Sequence, residues 1–319
     1  MKLTLTFFVV IAAMIIVSLC PFAIQAEDSG LWQDSMSVLQ RLQKIERING
    51  DQKRNEAALV SEQSLAAYLG NIVTDVYGGR ELIIYMPSLL PPAGQRAMVV
   101  ALHGGMGNAR IMHDRLKMDE VAEKNGFIVA YLNGSSAAVH LPETFRAWNA
   151  GGGCCGKPHR EKVDDIGYIT GAVHYLIEKY GIDPARIFGT GHSNGAIMTQ
   201  TLMCQTNLYQ KAVSLAGSLM VDIDYCPAAR GRAILAIHGT HDQNIPKDGG
   251  KGSRGVTIIF YRSETDSQAR FRSAGGMYDI LWVDSDHSLE HMASALRKSE
   301  GISLAEKEAR FFGISQWPR

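Results

Sequence analysis

The chain carries no excess charge of either sign: of its 319 residues, 32 are lysine or arginine and 32 are aspartate or glutamate. Nucleic-acid-binding domains show a basic excess and membrane-surface proteins a polybasic patch, so this balance speaks against both. Internal repeats, low-complexity tracts and Ser/Thr/Pro linkers are missing too, and one main domain is the simplest account. Among ten histidines only one pair stands at a metal-like spacing, His287-x-x-Glu290-His291.

Cysteine is scarce, five in all, and Cys20 falls in an apolar N-terminus, MKLTLTFFVVIAAMIIVSLCPFAIQA. One lysine, an apolar run and the small residues Ala23 and Ala26 predict a signal peptide over residues 1–26, cleaved near Ala26. Thr4 to Leu19 is the alternative, a retained anchor. Leu19 is bulky where a lipoprotein signal carries a small residue, which speaks against lipidation of Cys20. Export places the mature chain in the periplasm or outside the cell, with no stable membrane insertion after cleavage. Cys154, Cys155, Cys204 and Cys226 then read as two disulfides. A bond between the adjacent Cys154 and Cys155 is strained. This leaves each of them paired with Cys204 or Cys226, or a single bridge.

Residues 27–75 stand apart as an N-terminal helical extension, with Met36, Leu39, Leu42 and Ile45 at helical spacing. The texture then changes to strand, loop and helix in alternation over 76–319. ELIIYMP, MVVALHGG, FIVAYLNG, ARIFGTGHS, AVSLAG, AILAIHGTHD and MYDILWV read as strands. DIGYITGAVHYLIEKYG reads as a helix stopped by Gly181. Short apolar strands alternating with helices predict an α/β fold, a mostly parallel central sheet covered by helices on both faces.

Gly191-His192-Ser193-Asn194-Gly195 has the G-x-S-x-G form, with a strand before it and a helix after. That is the context of a nucleophile elbow, in which Ser193 sits on a tight turn with its hydroxyl exposed. A serine needs a base, and the base needs an acid to orient it, in the order Ser, acid, His for this arrangement. Asp242 stands just past the strand AILAIHG, where catalytic groups of open α/β sheets gather, while nearby Asp248 lies in an ordinary glycine-rich turn. His287 follows the strand MYDILWV in a loop, whereas His291 falls one helical turn later. His287 is therefore read as the base and His291 as solvated. Zinc at these histidines would need a third ligand from the short tail after them, so no metal or cofactor is expected. Backbone N–H groups of Gly105 (or Met106) and Asn194 are the expected oxyanion donors. His103 reads as a strand-end residue holding that loop, and Asp164 and Asp165 as helix-capping residues.

LHGGMG, WNAGGGCCG, VDDIGYI, GTGHSNGAIM and IHGTHDQNIPKDGG, in this order, resemble the secreted polyhydroxybutyrate depolymerase and feruloyl esterase family, related to acetylxylan esterases. The resemblance runs from about Gly79 to Gly313. It implies an α/β-hydrolase fold over 76–319, with Ser193 as nucleophile, Asp242 as acid, His287 as base and Trp148 on the substrate wall. Members of that family follow the base with Trp-Pro, whereas Ser288-Leu289 follow here, and no polymer-binding domain is recognisable. The expected substrate is therefore a short hydroxyalkanoate oligomer ester or a feruloyl or acetyl ester of a polysaccharide, rather than solid polyester. Two rivals are a prolyl-oligopeptidase-type peptidase, which usually carries a large extra domain, and a non-catalytic secreted binding protein. The sequence leaves oligomeric state open.

Overall fold

The computed structural model describes residues 71–221, 226–255 and 259–315. The expected leader, Cys20 and the helical extension up to residue 70 lie outside these residues. The strands are β1 (Ile72–Tyr77), β2 (Arg80–Tyr85), β3 (Arg96–Leu102) and β4 (Ile128–Leu132), followed by β7 (Ile182–His192), β8 (Lys211–Leu215), β9 (Ala233–Gly239) and β12 (Met277–Val283). These eight make one sheet in the order β1-β2-β4-β3-β7-β8-β9-β12. β2 pairs antiparallel with β1 and β4, and every other pairing in the sheet is parallel. Two small antiparallel pairs lie apart from it: β5 (Ser135–Ser136) with β6 (Arg146–Ala147), and β10 (Gly250–Lys251) with β11 (Phe260–Tyr261).

The central strands carry apolar stretches such as AMVVAL in β3 and IVAYL in β4 because both faces of the sheet are covered. Along β3, Met98, Val100 and Leu102 enter one core while Val99 and Ala101 enter the other. The second core is closed by α1 (Ala109–Leu116), α2 (Asp119–Asn125), α7 (Leu289–Glu300) and α8 (Leu304–Phe312). The first is closed by α4 (Asp165–Tyr180), α5 (Asn194–Gln205) and α6 (Glu264–Ser273), with the short α3 (Gly156–Arg160) preceding α4. Asp164 caps α4 by accepting from Gly167 N–H at 2.8 Å, and Gly181 ends it in the left-handed region at φ 58°. Both ends are those the sequence predicts.

Two expectations need correction. Among the described residues the sheet begins at Ile72, inside the expected extension, because IVTDVY turns through Gly78 and Gly79 into a hairpin with β2. β1 is, among the described residues, an edge strand whose alternate residues face solvent, so it lacks the continuous apolar run of its neighbours. The disulfides also differ: Cys204 pairs with Cys226, and Cys154 with Cys155. Cys204, near the end of α5, and Cys226 are both buried in the same core, where they satisfy each other. The adjacent pair is left with only itself.

Candidate active site

β7 delivers the chain to Ser193, which takes φ 57° and ψ −120° before α5 begins at Asn194. Such a conformation costs a non-glycine residue about 1–3 kcal/mol and persists only where its surroundings enforce it. Here Ser193 N–H donates to Leu215 O at the end of β8, at 2.9 Å. The flanking glycines are required sterically. A Cβ on Gly191 would collide with Gly195 O, and one on Gly195 with the carbonyl oxygens of Leu102 and His103.

Asp242, past the end of β9, and His287, past the end of β12, converge on this turn. Ser193 Oγ lies 2.8 Å from His287 Nε2, and His287 Nδ1 lies 2.7 Å from Asp242 Oδ2. The other carboxylate oxygen of Asp242 accepts from the N–H groups of Asn244 and Ile245 at 2.8 and 2.9 Å. Burial alone would raise the pKa of Asp242. Hydrogen bonds from His238 and His287 outweigh that effect and hold it well below the usual carboxylate range. An ionised carboxylate on Nδ1 keeps the proton there and leaves Nε2 free to accept one from the serine.

Ser193 and His287 open into a cleft of about 330 Å³ bounded by Gly104, Gly105, Met112, Tyr261 and the Cys154–Cys155 pair, with Asp242 buried behind them. Gly104 approaches the elbow so closely that a Cβ there would lie 3.2 Å from Ser193 Cβ. Among the described residues, the N–H groups of Gly105 and Asn194 have no protein acceptor, and both residues line the cleft. Met106 is not an equivalent donor, because its N–H is already bonded to Arg146 O at 2.8 Å. A second cleft of about 540 Å³ shares Arg115, Asn244 and His287 and adds Gln243, Arg254 and Glu290.

His103 is buried with its Nδ1 2.8 Å from Gly104 O, while Gly134 N–H donates to its Nε2 at 2.9 Å, so it holds the loop as expected. Burial pushes its pKa down to about 4. Asp164 alone caps the helix; Asp165, expected to cap as well, is buried, accepts from Asn149 N–H at 2.7 Å and pairs with Arg80 at 2.6 Å. His291 is exposed and turns to the Asp286 carboxylate at 2.9 Å. The two histidines of the H-x-x-E-H spelling thus have different partners, and Glu290 pairs with Arg115.

Trp148 is the main displacement from expectation. It lies fully buried beneath the cleft rather than on its wall. Its indole N–H donates to His103 O at 2.9 Å, and its backbone exchanges hydrogen bonds with the Asn194 side-chain amide. It therefore ties the loop bearing Gly105 to the elbow bearing Asn194. Trp148→Phe is expected to lower stability by roughly 1–3 kcal/mol, through the unpaired His103 carbonyl and lost volume. KM should stay unchanged, and thermal unfolding beside steady-state kinetics separates the two readings. A raised KM at unaltered stability would restore Trp148 to the substrate wall.

Sequence reasoning also missed His192, whose Nε2 donates to His287 O at 2.9 Å, and His238 behind Asp242. His238 stands four residues before the acid in HGTHD, a spacing that gives a signal only once the strand end is known.

A family model described as the prolyl oligopeptidase family matches residues 120–229. That stretch includes β7, the turn at Ser193 and α5, and ends before Asp242 and His287. Feruloyl esterase B of Piromyces equi is 28% identical over 175 residues, 54% of this chain and 31% of the relative. Acetylxylan esterase A of Emericella nidulans is 30% identical over 139 residues, 42% of this chain and 41% of the relative. The chain thus spans less than half the length of both curated relatives. Among solved structures, apo esterase 2 of Thermogutta terrifontis aligns with a TM-score of 0.51 and 15% identity, over 78% of this chain and 97% of that one. The fold is that of the α/β-hydrolases, and in sequence the chain is similar to feruloyl and acetylxylan esterases.

Proposed function

We propose that the chain is an exported serine carboxylester hydrolase acting on feruloyl or acetyl esters of polysaccharides. The observation that carries this reading is the unbroken row Ser193–His287–Asp242, with contacts of 2.8 and 2.7 Å, opening into a cleft beside two unpaired N–H groups. Ser193 attacks the ester carbonyl while His287 takes its proton, and Asp242 stabilises the imidazolium that forms. The N–H groups of Gly105 and Asn194 stabilise the negative charge that develops on the carbonyl oxygen. His287 then protonates the departing alcohol, and water activated by the same histidine releases the acid. The second, adjoining cleft, with Gln243, Asn244 and Arg254, suits a hydroxyl-rich leaving group. The names of the relatives support the same substrate class. The Cys204–Cys226 bridge supports an oxidising destination.

A peptidase reading draws support from the prolyl oligopeptidase match, and the two share their chemistry up to the leaving group. The test combines covalent labelling with a substrate panel. A p-nitrophenyl phosphonate should leave one adduct, on Ser193, by mass spectrometry. Methyl ferulate, acetylated xylo-oligosaccharides and hydroxybutyrate oligomers should be compared with a prolyl p-nitroanilide peptide. Hydrolysis of the peptide with esters left intact would turn the assignment to a peptidase, and absence of an adduct would sink both.

His291→Ala is expected to leave kcat/KM within about two-fold of wild type, because its exposed pair with Asp286 contributes little. A large loss in that variant would reverse the choice of base.

A further inference from the structure

Asp242 has a second histidine behind it. His238, on β9, is 1% exposed, and its Nε2 lies 3.2 Å from Asp242 Oδ2 and 2.9 Å from Ile245 O. Its Nδ1 lies 2.8 Å from Glu264 Oε2, at the start of α6. Glu264 is fully buried, and its other oxygen accepts from the Tyr278 hydroxyl, which also bonds Gln200. Both ring nitrogens of His238 therefore face carboxylate or carbonyl oxygens. A neutral imidazole has one N–H to offer them, whereas the imidazolium has two. Burial opposes that second proton, but hydrogen bonds and charge from Asp242 and Glu264 prevail and raise the pKa of His238 to about 10.

We infer that His238 and Glu264 are positioning residues that extend the row to Ser193–His287–Asp242–His238–Glu264, with His238 as a standing imidazolium that limits how tightly Asp242 holds the proton gained by His287. The inference rests on the esterase reading. A bare buried carboxylate would attract that proton strongly and keep the base occupied at mildly acidic pH. A cation on its far side offsets part of that attraction, and Glu264 in turn balances the cation. Asp242 also lies within electrostatic reach of the Tyr261 hydroxyl and of His192. His238 has the Trp282 ring at 6.1 Å, and the Lys247 ammonium lies 5.8 Å from that ring. His287 is faced in addition by His192 and Asp286, and Arg115 shares its cleft.

The test is the pH profile of kcat/KM on p-nitrophenyl acetate for wild type and His238→Gln. Glutamine keeps an N–H for Asp242 and removes the charge. The acid limb should move up by roughly one pH unit, giving about a ten-fold loss near pH 6 and a change within about three-fold near pH 9. A superimposable profile, or an equal loss at every pH, would mark His238 as merely structural and overturn the inference. Should that variant fail to fold, ¹⁵N NMR of the wild-type ring decides: two N–H protons on His238 near pH 7.5 support it, one overturns it. Wild-type protein that neither turns over esters nor takes the phosphonate overturns the esterase reading itself, before any His238 variant is compared.

Discussion

Ser193→Ala is expected to lower kcat/KM on p-nitrophenyl acetate by about 10⁵–10⁶-fold, and His287→Ala by a similar factor. Ser193 Oγ is the hydroxyl bonded to His287 Nε2, so removing either partner removes attack and proton transfer together. The losses should not add. The double variant should be about as slow as either single one, with residual catalysis from the N–H groups of Gly105 and Asn194. Thermal unfolding should change little, because Ser193 is half-buried and an alanine at φ 57° carries the same backbone cost. Steady-state kinetics on the three variants, beside melting curves, checks each part. Retained turnover in Ser193→Ala would remove the nucleophile from the proposal.

The second large effect concerns stability. Glu308, on α8, is fully buried, and neither of its oxygens makes a hydrogen bond of ordinary geometry among the described residues. Burial raises its pKa from 4.5 to about 8, with the Thr190 hydroxyl opposing only in part. The folded chain therefore holds a proton that the unfolded chain releases. This penalty is absent below the unfolded value, grows as pH rises and levels off above about pH 8. Glu308→Gln cannot ionise. Its unfolding free energy relative to wild type should rise from about 1 kcal/mol at pH 5 to about 4 kcal/mol at pH 8, added to any constant offset. Denaturant unfolding at several pH values measures the slope, and parallel curves for the two proteins would sink the idea.

The parts of the fold legible in the sequence share one physical cause. β3, β4 and β9 are covered on both faces, so they read as the apolar runs AMVVAL, IVAYL and AILAI, each followed by one polar residue and a glycine. β1 escaped because an edge strand half-open to solvent has no such run. Ser193, Asp242 and His287 were legible because each sits just past the C-terminal end of a strand that could be read. Trp148 was misplaced because sequence carries no depth: a tryptophan beside cysteines looks the same above the cleft as below it. The disulfide partners were illegible for a related reason, since Cys204 and Cys226 meet only through packing at the end of α5. The charge on His238 depends on Glu264, which stands 26 residues away in the chain.

Among the described residues β12 is the last rung of the sheet, paired with β9 alone, and the loop after it carries His287. The proposed base is thus mounted on the margin of the described sheet while the proposed nucleophile is mounted at its centre. Edge elements open at lower free energy than central ones. On warming, esterase activity is then expected to fall at a lower temperature than the central sheet melts, with the elbow at Ser193 still intact.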